Sequence, residues 1–317
     1  MASINNELQY INRMAREDPR ALVEKSEERY RAIVKNIAAR AMRAEGHKLI
    51  LLAGPSASGK TTTAQKLAEA LGRAGPATFR VSMDDFYLPA GEIPLLPDGS
   101  RDIESVHAID LPLLRETLRE LMEDGRGTLP VYNFGTGRRE TGETLRLGKE
   151  DMIVLEGLHA LNPLLTESLA EEHIRPDQMT KVYISVSSRI YDGKEIVLRK
   201  RSLRLTRRIL RDDQFRQARA EATLFMWPAV TRGEEQWLTP CKPNADALIN
   251  SIHVYEPCVF RNRLLPLLKE IYAGGDDGDH PAGGAAYRLA RALEQFEPMA
   301  EDLVPGDSLL REFLGGG

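Results

Sequence analysis

The sequence predicts an α/β fold with a mainly parallel sheet, carrying a β-hairpin insertion and a helical lid. Three observations lead there. The short apolar runs "KLILLAG" from Lys48, "TFRVSM" (78–83), "DMIVLEG" (151–157), "KVYISV" (181–186) and "ADALIN" (245–250) have the near-continuous hydrophobicity of strands buried on both faces. Helical patterns over 60–73, 109–123 and about 194–213 separate several of them, the order of a parallel sheet crossed by helices. A glycine-bounded loop, "GPSASGKT", stands between the first run and the first of those helices.

The remaining segments fall around this frame. In 1–45, Leu22, Val23, Tyr30, Ile33, Val34 and Ile37 recur at helical spacing, so an N-terminal helical extension of one or two amphipathic helices is expected on the outside of the core. The main domain runs over 46–272. Within it "GTLPVYNF" and "ETLRLGKE" flank "GTGRRETG", a hairpin at about 127–149 with a long Gly-rich loop, and the polar stretch at about 211–221 reads as the lid. "AGGDDGDHPAGG" (273–284) has the composition of a flexible linker, leaving a C-terminal helix and tail over 285–317.

Composition narrows the chemistry. Hydrophobic residues are 42% and charged residues 28% of 317, ordinary for a globular chain with a sizeable core. The net charge of -4 makes no case for nucleic acid or an anionic membrane, and no run approaches a membrane span. Two cysteines, Cys241 and Cys258, are too few for a disulfide framework and fit a reducing, cytoplasmic setting. Histidines 47, 107, 159, 173, 253 and 280 are scattered without metal-ligand spacing.

Gly54, Ser56, Ala57, Ser58, Gly59, Lys60, Thr61 and Thr62 form or extend the pattern G-x-x-x-x-G-K-[ST]. Glycines let such a P-loop wrap its backbone N–H groups around phosphate oxygens. The lysine reaches the terminal phosphates, the hydroxyl of Thr61 suits Mg²⁺, and the following helix adds the positive end of its dipole. A chance Gly-rich turn is the bland alternative, but the pattern sits after a strand and before a helix, where the mechanism needs it. No NKxD element for guanine is present, and the run "IVLEG" ends in the single acid Glu156 rather than an Asp-Glu pair. A kinase of small molecules remains, and its other parts are present. Asp84 and Asp85 in "VSMDDFYLP" close a strand, where ligands bind in parallel sheets. If that stretch is extended, only one of the pair faces the crevice and serves as base. Glu156 closes another strand and is placed for Mg²⁺. On a helix, Arg201, Arg204, Arg208 and Arg211 of "RKRSLRLTRRILRD" make one stripe, with Ile196, Leu203 and Leu210 on another face, and Arg216 and Arg219 follow in the lid. The stripe is either a solvated face, a nucleic-acid contact, or a set of phosphate-binding forks. The absence of interleaved aromatics disfavours the second, and the P-loop favours the third.

"GPSASGKTT", "SMDDFYLP", "LPVYNF", "VLEGLHALNP" and "RLTRRILRD" occur in the order found in the uridine kinase / phosphoribulokinase-like family of P-loop kinases, which this chain resembles over about 46–272. "ATLFMWPAVTRGEEQW" and the ending "DSLLREFLGGG" are similar to bacterial uridine kinase-like nucleoside kinases. The resemblance implies a three-layer P-loop NTPase fold and phosphorylation of a nucleoside 5′-hydroxyl by Mg²⁺ and ATP, with GTP as the alternative donor. It assigns Asp84 as catalytic base and metal neighbour, and Lys60, Thr61 and Glu156 to phosphate and Mg²⁺. Glu104 and Arg208 go to the ribose, Tyr87, Tyr132 and Phe134 to the acceptor pocket, and Arg211 with Arg216 to phosphate. Gly137 stands where uridine kinases have a pyrimidine-reading histidine, and Glu221 where they have a glutamine. Those departures leave a sugar, polyol or other small alcohol as the rival acceptor. A nucleotide-binding regulatory or RNA-associated protein is the rival of another class. Relatives that form dimers or tetramers imply that a homo-oligomer is allowed.

Overall fold

The computed structural model of the chain describes residues 4–43, 49–171, 174–273 and 281–316. In chain order its elements are α1 (Leu8–Glu17), α2 (Pro19–Arg43), β1 (Leu49–Ala53), α3 (Lys60–Gly72), β2 (Thr78–Ser82), α4 (Leu111–Arg119), β3 (Arg126–Asn133), β4 (Arg138–Arg146), β5 (Met152–Gly157) and α5 (Pro163–Glu171). There follow β6 (Met179–Ser185), β7 (Ile190–Asp192), β8 (Glu195–Leu198), α6 (Lys200–Phe215), α7 (Ala220–Gly233), β9 (Ala247–Asn250), α8 (Glu256–Ala273), α9 (Pro281–Leu293) and α10 (Arg311–Leu314).

Five strands pair in the order β2-β5-β1-β6-β9, all parallel. The apolar runs are continuous because both faces are covered. In β1, Ile50 and Leu52 enter a core shared with α2, α3, α6 and α8, while Leu49, Leu51 and Ala53 enter a second core shared with α4 and α5. The α/β fold is therefore three-layered, and every central strand delivers its carboxyl end to the same edge, where β1 runs into the P-loop.

Several boundaries depart from the sequence reading. Helix α2 packs one face against the core. Leu22, Val23, Tyr30 and Val34 are buried in the first core, and the Tyr30 hydroxyl lies 2.6 Å from Thr63 Oγ1 on α3. The pattern over 194–213 divides: α6 starts only at Lys200, and Ile196 belongs to β8, paired with β7. The Asp192-Gly193 turn and the β-branched pair Ile196–Val197 favour that ribbon over a helix. In the β3–β4 hairpin the Gly-rich loop is short, since β4 already begins at Arg138. The Asn133 side chain accepts the N–H groups of Gly135 and Thr136 at 3.0 and 3.1 Å, and Gly137 closes the turn at φ +66. The expected lid shrinks to 216–219, because 211–215 lie in α6 and 220–221 in α7. Linker composition at 281–284 is overridden as well, since α9 starts at Pro281; residues 274–280 lie outside the described residues.

Candidate active site

The P-loop leaves β1 with Ala57 at φ +57 and Gly59 at φ +90, the second a conformation glycine adopts without strain. Lys60, Thr61 and Thr62 then open α3, where the first-turn N–H groups have no acceptor within the helix itself. The loop is gripped from outside by α6. Arg204 Nε donates to the Ser56 carbonyl at 2.9 Å, Arg208 Nη1 to Ser56 Oγ at 3.0 Å, and Arg207 Nη1 to the Ser58 carbonyl at 3.4 Å. Glu234 accepts the Ser56 N–H at 2.9 Å and pairs with Arg204. The fully buried Arg207 is neutralised by Glu256, Nε to Oε2 at 2.6 Å, and also donates to Ser251.

Arg207, Glu234 and Glu256 were not legible as site residues. Arg207 lies in a run of arginines on a helix whose residues Leu203–Leu210 prove to be buried throughout, and neither glutamate lies on that helix. The predicted stripe is thus split. Arg201 is exposed and pairs with Glu235, whereas Arg204 and Arg208 turn to the loop. Arg211 does not reach the P-loop: it pairs with the buried Asp212, Nη2 to Oδ1 at 2.8 Å. Arg208 and Arg216 lie 3.2 and 3.6 Å from the same carboxylate, so one aspartate gathers three of the predicted arginines.

The acids stand at neighbouring strand ends. Beyond β2 the chain makes a 3₁₀ turn, Met83–Phe86, capped by Ser82 Oγ accepting the Asp84 N–H. The turn, and not an extended alternation, separates the two aspartates. Asp84 is exposed, and among the described residues its carboxylate accepts no hydrogen bond. Asp85 is half-buried and accepts the Tyr132 N–H at 3.3 Å, tying the hairpin to the sheet edge. Glu156 is buried; Thr61 Oγ1 donates to it at 3.2 Å and Ser82 Oγ at 3.4 Å. Burial pushes its carboxyl up to about 7, with the negative charges of Asp84 and Glu312 acting the same way and Lys60 pulling against them.

A hydroxyl beside a carboxylate short of positive charge is a hard oxygen donor set, which suits Mg²⁺. Among the described residues no group of three His, Cys, Asp or Glu side chains could cage a metal alone. The set therefore fits an ion shared with phosphate oxygens, the usual habit of Mg²⁺.

Beside Asp85, Tyr87, Tyr132 and Phe134 form an aromatic cluster with ring centroids 4.9–5.8 Å apart. Tyr132 is buried in it, and Phe134 is 68% exposed, an open face. The Tyr87 hydroxyl donates to the Ile103 carbonyl at 2.9 Å, holding the segment that carries Glu104. Burial raises the Glu104 carboxyl to about 7, reinforced by Glu234 and Asp84 and opposed by Arg208 and Lys60. Lys60, Asp84, Glu104, Glu156 and Arg208 thus lie near enough for their charges to act on Glu104 or Glu156. His159, just beyond β5, is buried, and burial lowers its pKa to about 4 against an opposing backbone contact at Glu104. Gly137 is explained by geometry: its carbonyl accepts the Ala90 N–H at 2.9 Å, and a Cβ would lie 2.7 Å from Ala90 Cβ. A histidine there would strain the turn. Glu221 lies in the first turn of α7.

With that geometry in hand, comparison with known proteins is decisive at the level of family. The model of the phosphoribulokinase / uridine kinase family matches residues 49–256, more than half of the chain. The chain belongs to this family. It is a P-loop kinase, a phosphotransferase acting on an alcohol group, and the family implies ATP and usually Mg²⁺. It is 27% identical over 202 residues to the uridine kinase of Lactobacillus johnsonii, covering 63% of this chain and 85% of that one. To a uridine kinase of Schizosaccharomyces pombe it is 34% identical over 157 residues, 47% of this chain and 34% of that one. Uridine-cytidine kinase B of Dictyostelium discoideum is 26% identical over 202 residues, 63% and 73% of the two chains. Among the described residues no helix is long and apolar enough to cross a membrane.

Proposed function

We propose that the protein phosphorylates the 5′-hydroxyl of a nucleoside, uridine or cytidine foremost, at the expense of ATP. The observation that carries the reading is Asp84: an exposed carboxylate with no competing hydrogen bond, in the crevice of Lys60 and Glu156. In this reading Asp84 orients the acceptor hydroxyl and takes its proton. Lys60 and the first-turn N–H groups of α3 neutralise the transferring phosphates. Thr61 and Glu156 would hold the metal, which would supply charge neutralisation on the phosphate oxygens when bound. Glu104 and Arg208 engage the ribose hydroxyls, and Tyr87, Tyr132 and Phe134 receive the base, Phe134 through its open face. Arg211 and Arg216 reach phosphate only if they exchange Asp212 for it, which the short 216–219 connection leaves Arg216 freest to do.

The turn geometry of Gly137 favours a second reading, in which a sugar or polyol takes the place of the nucleoside, because no histidine there reads a pyrimidine. A thermal-shift screen with a non-hydrolysable ATP analogue separates the two, since a ligand of the native state raises its stability. Uridine and cytidine are expected to raise Tm beyond the analogue alone. A rise produced by sugars and by no nucleoside would transfer the site to the second reading.

Glu104 also gives a pH dependence. A carboxyl raised to about 7 is ionised, and a strong acceptor for ribose hydroxyls, only above that pH. Acceptor KM is expected to rise roughly tenfold between pH 8 and pH 6, one proton being gained per site, and Glu104→Gln to flatten that profile. A pH-independent acceptor KM in the unsubstituted protein would remove Glu104 from the acceptor site.

A further inference from the structure

The C-terminal tail has no part in the proposed reaction, yet it lies on the nucleotide loop. Leu309, Leu310, Phe313 and Leu314 are buried, and the Phe313 ring lies 5.3 Å from the Arg207 guanidinium. Upstream, Ser308 Oγ donates to Glu27 of α2 at 2.5 Å. Leu309 rests on the P-loop so closely that a Cβ on Gly59 would sit 2.5 Å from it. Between these anchors Glu312 turns inward. Its Oε2 accepts the Thr62 backbone N–H at 3.1 Å and the Thr62 hydroxyl at 2.8 Å.

That N–H belongs to the first turn of α3, where the phosphate-loop motif offers its donors to a nucleotide. A carboxylate and a phosphate oxygen are the same kind of ligand for such a donor: both are anionic acceptors favoured by the helix dipole. They cannot both be present on one N–H, and their like charges repel. We propose that Glu312 is an internal competitor of the nucleotide, its carboxylate standing in for a phosphate oxygen at Thr62 until the nucleotide displaces it. Nucleotide binding then includes the work of breaking a charge-assisted contact, and the apparent affinity is lower than the loop alone would give. The tail itself need not leave. Its anchors are the side chains of Ser308, Leu309, Leu310 and Phe313, so rotation of the Glu312 side chain releases the N–H while α10 stays packed.

The inference rests on the P-loop being the nucleotide site and is independent of the acceptor. Calorimetric titration of the full chain with Mg²⁺ and a non-hydrolysable ATP analogue tests it. Glu312→Ala and Glu312→Gln are compared with the unsubstituted protein, and melting curves confirm that each is folded. The expected result is a Kd about tenfold lower in Glu312→Ala, as for loss of a charge-assisted hydrogen bond. Glu312→Gln, which keeps the shape and drops the charge, should lie between. Loss of the contact lowers Tm of the nucleotide-free protein whether Glu312 competes or merely caps α3, so affinity is the deciding quantity. An unchanged or raised Kd in both variants would make Glu312 a structural cap and overturn the proposal while leaving the kinase reading intact. Absence of binding in all three proteins would end both.

Discussion

Lys60→Ala leaves a folded protein whose phosphoryl transfer falls at least about a thousandfold, to background. Lys60 is half-buried at the start of α3, and the only hydrogen bond of its side chain among the described residues is a long one, Nζ to the Pro55 carbonyl at 3.4 Å. Its removal therefore costs little structure. What is lost is electrostatic: Lys60 lowers the proton affinity of both Glu104 and Glu156, so together with Arg208 it supplies positive charge facing these acids. Removing one preorganised group aimed at developing charge typically costs ~10²–10³ in kcat. Here the same group also offsets the acids that would repel the phosphates. Steady-state turnover beside a melting curve checks it, and near-normal turnover in a folded Lys60→Ala protein would contradict the P-loop assignment.

The second large effect separates two adjacent acids. Asp84→Asn is expected to lower kcat by at least about a hundredfold, within the ~10²–10⁴ range of a lost general base, with little change in nucleotide affinity. Asp85→Asn should be mild. The Asp85 carboxylate accepts the Tyr132 N–H, and an asparagine oxygen still accepts it, so the hairpin stays tied. Kinetics of the two variants measured side by side decide the matter. A severe Asp85→Asn with a mild Asp84→Asn would reverse the roles, and two mild variants would mean that neither acid is the base.

What could be read from the sequence is what is local. The P-loop, the strand runs and the acids at strand ends are written in contiguous residues, because a buried parallel strand and a phosphate-binding turn each impose their own composition. The hairpin was visible for the same reason, though its turn was not: Asn133 and Gly137 shorten it through side-chain and left-handed geometry that composition does not show. Long-range charge pairing stayed hidden. Arg204 meets Ser56, Arg207 meets Glu256, and Glu312 meets Thr62 across large separations in the chain. On α6 the arginine stripe is split, because amphipathic periodicity distinguishes faces only when one face meets water. Here loop, tail and sheet surround the helix, and its arginines are buried with partners that nothing in their own neighbourhood announces. Arg211 illustrates the cost: the spacing was right, but the adjacent Asp212 already neutralises it.

Transfer of a phosphoryl group to a nucleoside hydroxyl is open to one direct measurement. The protein is incubated with Mg²⁺ and γ-labelled ATP against uridine, cytidine and a panel of sugars and polyols, and the products are identified by mass and position of the label. The predicted result is a nucleoside 5′-monophosphate formed in step with ADP, and lost in Asp84→Asn. ADP released at the same rate with and without any acceptor, or label found only on a sugar, would contradict it.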